Sequence, residues 1–242
     1  EPGYEFVTPA EVWRHYGIRP QGADAQMFTS FLDGTKSAIE MAAVCNSCDL
    51  TPQQDGLHFP VVGTDGLAEL AARLGRSGTV EVVSGADMRW GVYVAWETGG
   101  GFAATSLEEY GVQLDASGSY AALYRPHHLI GLELATSVIR AGLRGEGTGT
   151  PRALHAEAIA RAKRDLQPGD VIDGEGGYAA YGVLMSAAQS RAEDALPIGM
   201  CKGAIVRRAV ARSEIVRGAD VELDPGTQLL AELREASYRA GR

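Results

Sequence analysis

The chain has 242 residues, 45% of them apolar and 22% charged, with a formal charge of −9. That length and composition build a folded core with room for one large domain and a small one. The acidic balance disfavours phosphate backbones, so nucleic acid is not an expected partner.

No apolar run reaches the ~20 residues of a membrane helix. The longest candidate, 129–143, contains Glu133 and Arg140. No signal-peptide pattern opens the sequence, so neither membrane nor export is expected. The three cysteines, Cys45, Cys48 and Cys201, cannot all pair, which fits a reducing, cytoplasmic location. Cys45 and Cys48 form a C-x-x-C, but a zinc site needs two more ligands and Cys201 is the only other cysteine. The pair reads as structural.

In chain order, Thr8-Pro9-Ala10-Glu11-Val12-Trp13 reads as a short helix with Thr8 as N-cap and Glu11 completing a capping box. The central segment is Phe31 to Met41. A turn with Asp33 or Thr35 as cap leads into a helix over Ser37 to Cys45, apolar at Ala38, Ile39, Met41, Ala42 and Val44. Lys36 and Glu40 are four apart on it, and Asp33 lies one turn earlier. This gathers an ammonium and two carboxylates at a helix N-terminus, where free N–H groups can also hold an anion. A capped helix with a surface ion pair has the same pattern.

Residues 51–66 read as a loop, with His58 between Leu57 and Phe59 as a packed histidine, and 67–74 as a short amphipathic helix. From Gly78 the period becomes two. Thr79 to Val83 and Met88 to Trp96 read as strands, the second burying Met88, Trp90, Val92, Val94 and Trp96 on one face. Gly99-Gly100-Gly101 reads as a hairpin turn, Ser106 to Tyr110 as a helical turn and Ser119 to Tyr124 as a strand. Pro126 breaks that strand, and His127 and His128 open a helix over Leu129 to Leu143; either histidine could serve in acid–base chemistry near neutral pH.

Gly145 to Arg152, with three glycines and a proline, is the clearest linker. A repeat follows it: Lys163 to Ile172 matches Arg207 to Val216 at a shift of 44, each copy reading as strand, tight turn, strand. Between the copies, Asp173-Gly174-Glu175-Gly176-Gly177-Tyr178 sets two carboxylates among glycines, a pattern that suits close approach to a ligand hydroxyl or a divalent metal and equally a plain acidic turn. The tail from Gln228 reads as a short helix. Arg89, Arg125 and Lys163 could hold a phosphate or carboxylate, or be surface charges.

Three stretches carry a resemblance: Asp33 to Met41, Tyr124-Arg125-Pro126-His127-His128-Leu129-Ile130-Gly131-Leu132-Glu133, and Asp173 to Tyr178. Together they resemble homoserine-dehydrogenase-like oxidoreductases, a family with relatives similar to deoxyxylulose-phosphate reductoisomerase. The family has a nucleotide-binding domain, a catalytic domain and a C-terminal SAF module, and the resemblance, from about Thr8 to Leu223, covers the last two. It implies an α+β fold, with a mostly antiparallel sheet covered by the helices at Ser37–Cys45 and Leu129–Leu143, followed by a small β-rich SAF-like (β-clip) module. The division is 1–150 for the catalytic domain and 151–242 for the SAF-like domain. It also implies a homodimer.

By the same resemblance Lys36 is the acid/base, with Asp33, Glu40 and His128 beside it. Gly34, Thr35, Arg89, Tyr124, Arg125, Asp173 and Glu175 are the substrate-binding candidates. No G-x-G-x-x-G opens a βαβ unit, so NADP(H) is expected only if a nucleotide-binding domain is supplied, which would sit upstream of Glu1. Three readings stay open. One is the catalytic and SAF portion of an oxidoreductase for a small hydroxy or keto, sugar-like substrate. Another is a nucleotide-independent isomerase, dehydratase or cyclase using the same pocket, with or without a divalent metal. The last is a non-catalytic small-molecule-binding module.

Overall fold

A computed structural model describes residues 3–85, 87–88, 91–129 and 131–240. In chain order the elements are α1 (Val12–Tyr16), α2 (Ala25–Leu32), α3 (Thr35–Cys48), α4 (Leu67–Leu74), β1 (Val92–Glu97), α5 (Gly101–Glu109), β2 (Gln113–Leu114), β3 (Tyr120–Arg125), α6 (Leu134–Arg144), β4 (Ala156–Ala162), β5 (Ala180–Ser186), α7 (Ala187–Ala192), β6 (Ile205–Val206), β7 (Val221–Glu222) and α8 (Gln228–Ala240). The fold is α+β, and its strand ladders are antiparallel.

The chain forms two compact units: residues 1–58 with 151–242, and residues 59–150. In the first unit, α3 packs on the β4–β5 hairpin. Ala38, Ala42 and Cys45 recur at helical spacing and are buried. The hairpin is largely buried on both faces, with Ile159, Ala160, Ala162 and Ala180 fully buried. Asn46 ties the end of α3 to the start of β4: its Oδ1 accepts from the amides of His155 (2.7 Å) and Ala156 (3.0 Å), and its Nδ2 donates to the Ala156 carbonyl (3.0 Å). The helix expected over Ser37 to Cys45 is therefore present and slightly longer, and it covers β4–β5 rather than the sheet that begins beyond Thr79.

The second unit holds a three-stranded sheet in the order β1-β3-β2, with Val94 opposite Leu123 and Ala95 opposite Ala122. Helix α4 packs on one face, where Leu67 and Ala68 meet Ala122, Tyr93, Ala95 and Tyr124. The buried face is thus the one carrying Tyr93 and Ala95. Val92 and Val94, expected inside, are 52% and 60% exposed, as is Leu123 at 56%. Trp90 lies outside the described residues.

The glycine run also differs from expectation. Gly99, Gly100 and Gly101 all have positive φ, but they link β1 directly to α5, which spans Gly101–Glu109 rather than one turn near Ser106. The helix expected to open at His127 and His128 starts at Leu134. Gly131, at φ 85°, turns the chain left-handed first, and the Glu133 carboxylate takes the Leu129 amide at 3.1 Å in a separate turn.

Candidate functional site

The α2–α3 junction is built from its own sequence. Asp24 caps α2, its Oδ1 accepting from the amides of Gln26 (2.9 Å) and Met27 (3.4 Å). The helix ends at Asp33, Gly34 turns the chain at φ 85°, and α3 begins at once with Thr35. Asp33 Oδ1 accepts from the Thr35 amide at 2.9 Å, satisfying one of the free donors at the α3 start. Thr35 is fully buried, and its hydroxyl accepts from the Gly182 amide of β5 at 2.7 Å. A Cβ at Gly182 would come 3.0 Å from Thr35 Cγ2, so the helix start sits directly on the strand backbone.

Asp33 does not turn toward Lys36. Its Oδ2 lies 2.7 Å from Lys163 Nζ, with both side chains essentially sealed from water at 0% and 1% exposure. The contact is a close ion pair in which Oδ2 makes no hydrogen bond of regular geometry. Lys163 also donates to the carbonyls of Val7 (2.7 Å) and Gly177 (2.8 Å). Burial pulls the Lys163 ammonium below the ordinary lysine range, against the opposing pull of Asp33. Lys36 and Glu40 pair with each other at 4.0 Å, on the exposed side of the helix.

The Asp173–Tyr178 segment is a tight loop. The Asp173 carboxylate accepts from the amides of Tyr178 (2.6 Å) and Ala179 (3.0 Å). The Gln26 side chain holds the loop to α2, donating to the carbonyls of Asp173 (3.0 Å) and Glu175 (2.9 Å). Gly176, at φ 66°, lies so close to the Gln26 carbonyl that a Cβ would overlap it. Glu175 is exposed and lines a cleft of about 460 Å³ with Asp24, Met27, Ile198 and Lys202. The structure therefore brings Asp33, Gly34, Thr35 and Asp173 into one hydrogen-bonded region around Lys163. It leaves Lys36, Glu40 and Glu175 facing solvent.

Tyr124, Arg125 and His128 belong to the other compact unit. Arg125 pairs with Glu133, and His128 Nδ1 lies 3.7 Å from a Glu133 oxygen. The Leu129 amide, helped by Arg125, holds the Glu133 carboxyl below the usual carboxylate range. Tyr124 packs in the cluster with Leu67 and Ala122. Arg89 lies outside the described residues. Cys45 and Cys48 are both free, and burial pushes the Cys45 thiol up to about 11, away from reactivity.

Lys163, expected either to hold a phosphate or carboxylate or to be a surface charge, is instead a buried partner of Asp33. The available signal was its place at the end of Ala156–Ala162, a run apolar enough to be buried on both faces, where a lysine must find a partner. Lys202 gave no signal at all.

A model of the oxidoreductase DRL catalytic domain matches residues 2–134, a little over half of the chain. The chain belongs to the oxidoreductase DRL catalytic domain family. No curated protein matches it. The matched stretch takes in the Asp33–Glu40 segment and the Tyr124–His128 segment and ends as α6 begins.

The groups that an oxidoreductase or its metal-dependent relatives use can be tested against these residues. β1 leads through the glycine run into α5 but pairs antiparallel with β3, so this is not the βαβ cradle of a dinucleotide. Among the described residues no group of three or more His, Cys, Asp and Glu side chains is placed to hold a metal ion. None of the helices there is long and apolar enough to cross a membrane.

Proposed function

We propose that this chain supplies the acid–base half of an oxidoreductase, of homoserine-dehydrogenase-like and deoxyxylulose-phosphate-reductoisomerase-like type, acting on a small hydroxy or keto, sugar-like substrate. Lys36 is the acid/base. The observation that carries the reading is the state of the α3 start within a family-matched catalytic domain. Asp33 and Thr35 are sealed into the interior, while Lys36 stands at the same helix N-terminus with its amine open to solvent. An ammonium there can give a proton to the oxygen of a carbonyl becoming an alcohol, and the helix N-terminus favours the same developing negative charge. Glu40 lies 4.0 Å away on the next turn and pairs with the amine.

Glu175 and Lys202 both line the cleft beside α2, and polar groups of both signs suit a polyhydroxylated substrate. The repeat-built module from Pro151 onward is SAF-like, a reading supported by its paired turns. Self-association as a homodimer is supported by the open sheet face at Val92, Val94 and Leu123. A cytoplasmic location is supported by three free cysteines.

The test is an assay of the full chain against a panel of phosphorylated and free keto sugars, with and without NADPH. Native mass spectrometry of the same samples shows whether nucleotide binds. Lys36→Ala is expected to lower turnover of any substrate found by about 10²–10⁴-fold. A Lys36→Ala protein with full activity would remove Lys36 from the chemistry. Solvent deuterium entering the substrate without nucleotide would favour an isomerase of the same pocket.

A further inference from the structure

We infer that Lys163 is a positioning residue for Lys36: its buried ammonium locks the Asp33–Thr35 turn, the Asp173–Ala179 loop and the segment around Val7 to the end of β4, and so fixes where α3 begins. The inference deepens the acid–base reading of Lys36 and rests on it.

An ammonium has three N–H donors and no acceptor. In Lys163 they face Asp33 Oδ2, the Val7 carbonyl and the Gly177 carbonyl, at 2.7, 2.7 and 2.8 Å. Nothing is left over for a substrate, and the side chain is 1% exposed. Lys163 therefore acts through what it holds. Taking an ammonium out of water is costly, and the cost is recovered only where the partners are fixed. The partners here come from three separate stretches of chain, up to 156 residues away in sequence.

The path to Lys36 is short. Lys163 holds Asp33 Oδ2, Asp33 Oδ1 holds the Thr35 amide, and Lys36 is the next residue. Through Gly177 the same ammonium anchors the loop that carries Glu175. One buried group thus sets both the exposed amine of α3 and the acidic edge of the cleft.

The repeat provides an internal control. Lys163 corresponds to Arg207 at the shift of 44. Arg207 points outward, its side chain 56% exposed, and pairs with Glu222. A turn of this kind does not need a buried cation, so the inward placement of Lys163 answers to Asp33 and not to the repeat.

The experiment uses the full chain with two variants, Lys163→Met and the double change Asp33→Leu with Lys163→Met. The double change removes both buried charges and so keeps a folded protein available if the single one fails. Two measurements are made: amide exchange by segment, and trace acetylation of Lys36 by acetic anhydride across pH, read by mass spectrometry. The expected result is exchange about tenfold or more faster over residues 34–40, with 156–162 and 180–186 still protected. The acetylation profile of Lys36 shifts along with it. Val210→Ala, a destabilised control outside this network, leaves that profile where it is.

Wild-type exchange over 34–40 and a wild-type Lys36 profile in a folded double variant would overturn the inference. So would failure of both variants to fold, since the pair would then be a general core requirement. If Lys36→Ala keeps full activity, the acid–base reading fails while these two measurements still decide whether Lys163 sets the α3 start.

Discussion

Leu166 and Val210 exchange backbone hydrogen bonds, each amide donating to the other's carbonyl, at 2.8 and 3.1 Å. They occupy the same position in the two copies of the repeat, so an approximate two-fold axis passes between them. The surrounding contacts obey it. Arg161 bridges Ile215 and Ile205 bridges Val171, pairs that the shift of 44 interchanges. The Gly169 amide donates to the Val206 carbonyl and the Ser213 amide to the Ala162 carbonyl, both at 2.9 Å. Ser213 even takes the left-handed conformation of Gly169, with φ 70° against 95°.

This symmetry predicts unequal costs at equivalent sites. Leu166 is fully buried and Val210 is 5% exposed. Leu166→Ala should lose about 2–5 kcal/mol, and Val210→Ala less because fewer atoms leave the core. Urea unfolding followed by circular dichroism checks it. Equal losses would mean that the axis region repacks freely. Ser213→Gly should be neutral or stabilising, since glycine carries no penalty at positive φ.

The α3 start gives a sharper test of the hydrogen bonds. Thr35→Val keeps the shape but removes the acceptor of the Gly182 amide, leaving a donor buried in β5 without a partner. The expected cost is about 1–3 kcal/mol by denaturant unfolding. Thr35→Ser keeps the hydroxyl and should recover most of it. A variant Thr35→Val as stable as the wild type would mean that water or a shifted carbonyl reaches Gly182.

Glycines with the same sign of φ should differ sharply in tolerance. Gly99 has φ 76° and open space where a Cβ would stand. Gly99→Ala should cost only the conformational term, about 1–2 kcal/mol. Gly176→Ala adds a clash with the Gln26 carbonyl and Ser30, both backbone-anchored, so α2 and the Asp173 loop must part. Thermal unfolding should show the second change as clearly the worse one.

The sequence made some of this legible for identifiable reasons. Apolar spacing showed α3 and α4, and the repeat showed the paired turns, because both patterns are local and periodic. The direction of the sheet was misread because Val92, Val94 and Trp96 alternate as a buried face should, yet α4 packs on Tyr93 and Ala95. Alternation marks two faces without saying which one is covered. The glycine run was read as a turn because three glycines break local propensity, and only the strand on one side and the helix on the other show its role. Asp33 was grouped with Lys36 by helical spacing. It caps the helix from outside that spacing, and its ion partner is 130 residues further on. No local pattern reports such a pair.

The C-terminal helix gives a pH-dependent prediction. None of the residues of α8 is buried, and Leu229 and Leu233 are more than half exposed. Ala231 packs on the core, and the polar part of the helix's attachment centres on Glu157 of β4. Arg234 makes two bonds to that carboxylate at 2.7 Å each, and Tyr238 and Ser190 each donate to it at 2.6 Å. Burial works to raise the Glu157 carboxyl, but the bonds from Arg234, Ser190 and Tyr238 outweigh it and hold it below its ordinary value of 4.5. The unfolded or detached state therefore binds the proton more tightly than the docked state. The stabilisation is fully present above about pH 4.5 and is lost as pH falls through the lower, docked value. Amide protection factors over 228–240, with the intrinsic pH dependence of exchange divided out, should be high and flat from neutral pH down to that point and then fall. Glu157→Gln should exchange faster at neutral pH and show no such step. A step that survives in Glu157→Gln would place the titrating group elsewhere and take Glu157 out of the role of anchor.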